Sequence, residues 1–325
     1  MTTSEKDITV RKERKIDLHS IAIYIIAVAI FVMFAILAEM NGRSFLSLSN
    51  IRNIITQSAV ISVIAIGQTM VIITGGIDLS VGSVVGFVGI TGGLMIKAGI
   101  PVLAAVFLTL VIGIMVGLIN GLLISYGRIP AFITTLAMMQ IFRGLCMLVN
   151  SGKPVAGFPE GLTRIMGTEI FGIPISIFYV FLTYLVMMTL MAKTRFGRYV
   201  YAVGGNREAA KLSGVKVQKI ELITYALAGL FAALGGVMLL SRLSYADPNA
   251  GISYEMNAIA ATVIGGTAMS GGKGKLGNTF VGAIILGMLT TGLQILNVPV
   301  HFQSIITGMA VAGAVYLDKI KERKE

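Results

Sequence analysis

The sequence predicts an all-α protein, a polytopic membrane helix bundle of about ten transmembrane helices with both termini cytoplasmic and some helices broken at glycine-rich points. Three observations carry this. The 325 residues are 55% hydrophobic and only 13% charged, with a mean hydropathy of +0.87. That is too little charge to cover the surface of a soluble domain of this size. Apolar runs of about 20 residues, the length that crosses a hydrocarbon core of roughly 30 Å, recur from Ile21 to Leu317. Glycine is abundant, at 39 residues, which suits membrane helices that approach through small side chains.

Residues 1–20 are mostly polar, nine of them charged, and form a cytoplasmic N-terminal segment. The first apolar window, 21–40, is longer than a signal-peptide core and lacks a small-x-small cleavage site, so it reads as an uncleaved span. Further windows fall at 54–74, 80–96, 101–124, 131–150, 170–191, 220–241, 256–270, 278–295 and 301–317. Those at 80–96 and 256–270 are short and glycine-rich, so either can be a broken or partial crossing. Residues 21–317 thus make one transmembrane domain, with a cytoplasmic loop at 192–219 and a cytoplasmic tail at 318–325. The chain is expected in the cell (inner or cytoplasmic) membrane. With the N-terminus inside and ten crossings, the inside segments carry 19 of the 26 Lys and Arg, the outside segments six, and Arg143 falls within a span. The positive-inside rule supports that orientation.

The net charge of +11 sits in short segments between apolar runs, which marks membrane sidedness and argues against a nucleic-acid partner. Cys146 is the only cysteine and lies within an apolar run, so there is no disulfide framework or multi-cysteine metal site. His19 and His301 have no ligand-like spacing, and no metal site is expected. Glu39 and Arg43, four apart, are placed to pair at the outer mouth.

The loop 192–219 is more than a tether. Asn206 is a good N-cap, Glu208 lies where a helix dipole favours negative charge and Lys211 where it favours positive charge. Gly214 suits the left-handed position that ends a helix. The expected helix spans Arg207 to Ser213, about 10 Å at 1.5 Å per residue. Two turns are marginal alone in water, so this helix should pack on something. Ala209 and Ala210 offer a flat surface for a close approach.

Glu208-Ala209-Ala210-Lys211-Leu212-Ser213-Gly214 matches EAAxxxG and resembles the signature of permease subunits of ATP-binding-cassette importers. The segments GGIDLSVGS at 75–83, TRFGRYVYAVGGNREAAKLSGV at 194–215 and IGGTAMSGGKGKLGNTFVGA at 264–283 resemble the ribose-type monosaccharide permeases. The broader family's Ile-x-Leu-Pro is incomplete here, since Ile223 follows Ile220-Glu221-Leu222, as in the sugar and branched-chain amino-acid branch. The resemblance implies a coupling helix that docks on an ATPase, assigned here to Gly205, Asn206, Arg207, Glu208, Ala209, Ala210, Lys211 and Gly214. It also implies a second copy of the chain, two ATPase domains inside (commonly fused) that bind ATP and Mg, and an extracytoplasmic sugar-binding protein. Independently of resemblance, no P-loop is present. At Gly272-Lys273, Thr267 replaces the first glycine and Gly274 the Ser/Thr. No enzymatic activity and no cofactor are therefore expected in this chain.

Gly75, Gly76, Asp78, Ser80 and Gly82 form a break between apolar runs. Gly265 and Gly266 open a similar segment 190 residues on, as internal repeats with broken helices would, although a glycine-rich chain can match itself by chance. Asp78 or Ser80 can cap the following helix. Asp78 reads as a cap at a watery cytoplasmic mouth, as a gate, or as a sugar contact. Gln68, Asn120, Gln140, Arg143 and Asn257, with Gln294 and Asn297, are candidates for a polar path, though each amide can equally bond between helices. Arg143, about 10 Å from the end of its span at Asn150, can snorkel or line a wet cavity. Asp78 and Glu39 are read as the only acids near a span. The expected function is alternating-access import of a monosaccharide. The alternatives are the same machinery carrying a sugar-like signalling molecule, nucleoside or branched-chain amino acid, and, more remotely, an ion-coupled secondary transporter.

Overall fold

A computed structural model describes residues 18–322. Ten helices meet the ten apolar windows. They are α1 (Leu18–Met40), α2 (Leu48–Ile73), α3 (Val81–Lys97), α4 (Val102–Ser125), α5 (Ala131–Val149), α7 (Ser176–Lys193), α10 (Val217–Leu243), α11 (Tyr254–Ile264), α12 (Leu276–Ile295) and α13 (Val300–Glu322). Among the described residues, seven of these (α1, α2, α4, α5, α7, α10 and α12) are long and apolar enough to cross a membrane. Helix α3, with 17 residues, is shorter, and α11 has only 11.

The differences from the sequence windows have local causes. The window at 170–191 becomes a hairpin, β2 (Glu169–Ile170) with β3 (Ile173–Pro174), before α7 begins. Phe171 and Gly172, both at positive φ, turn the chain where an apolar count continues through it. The window at 256–270 stops being helical at Ile264, because Gly265 and Gly266 release the helix. Helix α13 runs past residue 317 to Glu322, so 318–322 continue a helix. The segment 1–17 lies outside the described residues. A short helix α6 (Glu160–Gly167) and the pairing of β1 (Val155–Ala156) with β4 (Tyr245–Ala246) fold the segment between α5 and α7 against the chain.

Burial sorts the helices. In α2, 83% of the apolar window is inside the protein, against 17% in α1. Helices α2, α10 and α12 form the centre, while α1, α4, α5 and α7 turn large apolar side chains outward, such as Leu103, Phe107 and Phe181. An outward hydrocarbon surface of this kind belongs in lipid. The tightest seam joins α4 to α10. Gly113, Gly117 and Gly121 form one stripe on α4, and a Cβ on Gly117 would lie 2.9 Å from the Ala226 Cα, one on Gly121 3.0 Å from the Leu222 Cα. Gly229 answers from α10, its added Cβ running into the Gly113 carbonyl oxygen. With no hydrophobic drive between helices in lipid, this backbone-to-backbone contact is what holds them. Arg43 does not pair with Glu39. Its guanidinium reaches the Ile295 carbonyl at the end of α12, where the helix dipole favours a cation.

Overpacking at this seam is expected to destabilise by about 1–3 kcal/mol or more. Thermal unfolding in detergent should therefore show a lower Tm for Gly117→Leu. Gly144→Leu, at a position with nothing within 4 Å of an added Cβ, should leave Tm nearly unchanged.

Candidate functional site

The segment after α7 turns at Thr194, whose hydroxyl accepts from the Gly197 N–H, into α8 (Arg195–Gly205). One residue later comes α9 (Arg207–Leu212). Asn206 caps α9, its Oδ1 accepting from the Ala209 N–H at 2.9 Å. The helix ends one residue before the expected Ser213. Val215 N–H donates to the Ala210 carbonyl and Gly214 N–H to that of Lys211, both at 3.0 Å. This is the paired closure that needs a left-handed residue, and Gly214 supplies it at φ +82°.

Helix α9 does not present two alanines to a partner. Ala210 is 5% exposed and faces the protein, because adjacent helical positions point about 100° apart. Glu208, Ala209 and Lys211 are exposed. So is Leu212, at 89%, a residue that sequence reasoning passed over although it lies in the same motif. The helix is held from beneath. Arg207 Nε donates to Glu221 Oε1 at 2.9 Å and Nη2 to Oε2 at 3.1 Å, with Glu221 nearly buried on α10. The hydrogen bonds from Glu221 raise the Arg207 pKa above its already high value, so the guanidinium stays charged.

The end of α8, from which α9 follows, meets both glycine-rich breaks. Gly272 N–H donates to the Ile73 carbonyl at 2.9 Å, joining the segment after α11 to the last turn of α2. The Tyr201 hydroxyl on α8 donates to the Gly274 carbonyl at 2.9 Å. Gly204, two residues before the cap, fills the space between. A Cβ there would collide with the Ile73 oxygen and come within 2.6 Å of the Gly272 nitrogen. Below this point Thr69 of α2 shares hydroxyl contacts with Thr262 of α11 at 3.2 Å and Thr279 of α12 at 2.9 Å. Gly75, Gly76, Gly265 and Gly266 therefore lie in or beside one junction, directly behind α9.

Asp78 is neither a helix cap nor at a watery mouth. It is 2% exposed. Its Oδ1 accepts from the Ser80 N–H at 2.8 Å and the Ser80 hydroxyl at 2.6 Å, so the carboxylate closes its own turn. Ser80, at the N-cap position of α3, makes no side-chain cap bond. Two path candidates serve this turn. With its amide turned so that both groups are satisfied, the Gln68 carboxamide donates to the Asp78 carbonyl at 3.1 Å and accepts from its N–H at 3.3 Å. Asn120 Nδ2 donates to the Ser80 hydroxyl at 2.8 Å. Both are fully buried. The turn lies beside Tyr225, whose hydroxyl faces Gly76, about 12 Å along α10 from Val217.

The other candidates lie elsewhere. Gln140, Gln294 and Asn297 are exposed, and Asn257 is half-buried in α11. Arg143 Nη1 donates to the Ala250 carbonyl at 2.8 Å, reaching the irregular segment 247–253 beside Gly86 of α3. Glu255, in the first turn of α11, lies against Gly82 and within electrostatic range of Arg143. Glu221 and Glu255 thus join Asp78 and Glu39 as acids within or beside the spans. Nothing local in the sequence marked either one, since their partners come from segments 14 or more than 100 residues away. Cys146 is fully buried, its Sγ 3.8 Å from the Ser83 carbonyl.

The family model of the branched-chain amino acid transport system/permease component matches residues 50–315. The chain belongs to that family. The permease is 42% identical over 294 residues to the ribose import permease protein of Bacillus subtilis (strain 168), covering 90% of this chain and 91% of the relative. It is 39% identical over 300 residues to the ribose import permease protein of Escherichia coli (strain K12), covering 91% and 93%. To the D-allose transport system permease protein of the same strain it is 34% identical over 290 residues, covering 89% of each. No solved structure matches the permease.

Removing Arg207 leaves the Glu221 carboxylate nearly buried without its two donors. Arg207→Ala is therefore expected to destabilise the permease by about 1–3 kcal/mol, and Glu221→Gln, which keeps an acceptor for the guanidinium, by less. Thermal unfolding in detergent checks the order. A reversed order would show that the pair does not hold α9.

Proposed function

We propose that this chain is the permease subunit of an ATP-driven importer of ribose or a related monosaccharide. Two copies would form the pathway, fed from outside by a sugar-binding protein and driven from inside by ATPase subunits that bind ATP and Mg. The junction behind α9 carries this reading. A two-turn helix with an outward Glu208, Ala209, Lys211 and Leu212 is built for docking. Its root is bonded to α10 through Glu221 and wedged against both helix breaks through Gly204. A push on α9 therefore reaches α2, α11 and α12 without an intervening flexible link. That is the mechanical requirement for alternating access driven from another subunit. Family membership, the relatives named for ribose and allose, and the absence of a P-loop from the sequence support the same reading.

The ten-span arrangement, with termini and α9 on the ATPase side, is part of this proposal and follows from the distribution of Lys and Arg. Irregular backbone at membrane depth is tolerated where it is buried in protein or lines a cavity. The segment 247–253, with Arg143, Glu255 and Asn257 around it, and the turn at 76–80 are the places where the cargo path would run closest to this chain's polar groups.

Glu208→Lys, Leu212→Asp and Gly214→Val should each lower sugar uptake at least about ten-fold, the scale of one lost interaction of about 1.4 kcal/mol. Each should also abolish cargo-stimulated ATP hydrolysis while the protein stays in the membrane. Uptake and ATPase stimulation at wild-type levels in all three would end the role assigned to α9. Transport by the purified chain alone, driven by an ion gradient, would favour a secondary transporter instead.

A further inference from the structure

Between α2, α7 and α12 lies a groove of about 560 Å³, within the range of ligand pockets (about 300–1,000 Å³). Its walls include Ile55, Ala59, Phe181, Leu185, Met188 and Ile284, backed by the Tyr184 and Phe280 rings 5.2 Å apart. Phe181, Leu185 and Met188 are exposed along its mouth, on a face that belongs in lipid. Ser58 and Ser62 keep their hydroxyls buried and out of the space. A sugar would find no hydrogen-bond partner here. Hydrocarbon would.

One end of the groove is electrically distinctive. From Met188, helix α7 continues five residues, about 7.5 Å, to Lys193 and turns at Thr194 into α8. Lys193, Arg195 and Arg198 are exposed at this corner, and residues 176–207 contain no Asp or Glu. An apolar slot that ends at a basic corner complements an amphiphile with a hydrocarbon tail and an anionic head. We propose that the groove holds one acyl chain of an anionic phospholipid, its headgroup seated on Lys193, Arg195 and Arg198. The lipid would brace the α7–α8 corner, from which α9 hangs, and this site is separate from the cargo path.

The chain contains no Trp, so a single introduced Trp reports its own surroundings. Met188→Trp reads the groove, with Phe181→Trp on the same wall if the first variant does not insert. Leu103→Trp on α4, 83% exposed, reads bulk lipid. The full chain is reconstituted in phosphatidylcholine vesicles holding a minor fraction of phosphatidylglycerol with brominated acyl chains. Quenching at the groove should correspond to about five-fold enrichment over the α4 position, the scale of one basic contact to an anionic headgroup. Adding Lys193→Gln, Arg195→Gln and Arg198→Gln should remove the enrichment, and brominated phosphatidylcholine should produce none. Equal quenching at the two positions overturns the proposal. So does enrichment that survives loss of the three charges or appears with the zwitterionic lipid. Quenching weaker than at Leu103→Trp would mean that protein, such as a second copy of the chain, covers the groove, and that also overturns it.

Discussion

Everything in this chain answers to one constraint: backbone polar groups within an apolar medium must find partners in the protein. Continuous helices meet it by themselves. The two places where helices break, after Ile73 and after Ile264, do not, and each borrows from distant segments. The Ile73 carbonyl takes the Gly272 N–H. The turn at Asp78 takes its own carboxylate and the Gln68 carboxamide, and Asn120 bonds the Ser80 hydroxyl beside it. The breaks are therefore tied to other segments of the bundle.

That cross-linking would let the loop at 192–219, in the role proposed for it, act at a distance. Helix α9 alone is too short to be stable in water. It is ordered by a side-chain cap at one end, a left-handed glycine at the other, and an ion pair to α10. Gly204 brings the end of α8, just before α9, into backbone contact with Ile73 and Gly272. The glycine stripe between α4 and α10 has a parallel role. Close backbone packing ties these two helices together.

The polar residues inside the bundle show how composition and location part company. Gln68 and Asn120 have the chemistry to bind a sugar and are instead consumed by the 78–80 turn. Arg143 does not stand free, since it donates to the Ala250 carbonyl. Leu212, an ordinary apolar residue by type, is exposed on α9.

The sequence by itself determined the helical membrane class, the approximate position of each apolar helix, and the capped two-turn helix with its Asn206 and Gly214 ends. These depend on hydropathy over about 20 residues and on cap chemistry over a few, both local properties. Tertiary structure decided that the two glycine-rich breaks meet each other behind α9, that Glu221 is the partner of Arg207, and that Ala210 faces inward. It also decided that Asp78 is buried in its own turn. Each of these depends on which distant segment arrives alongside. That choice is made by backbone packing and hydrogen-bond satisfaction among helices, which no window of neighbouring residues contains.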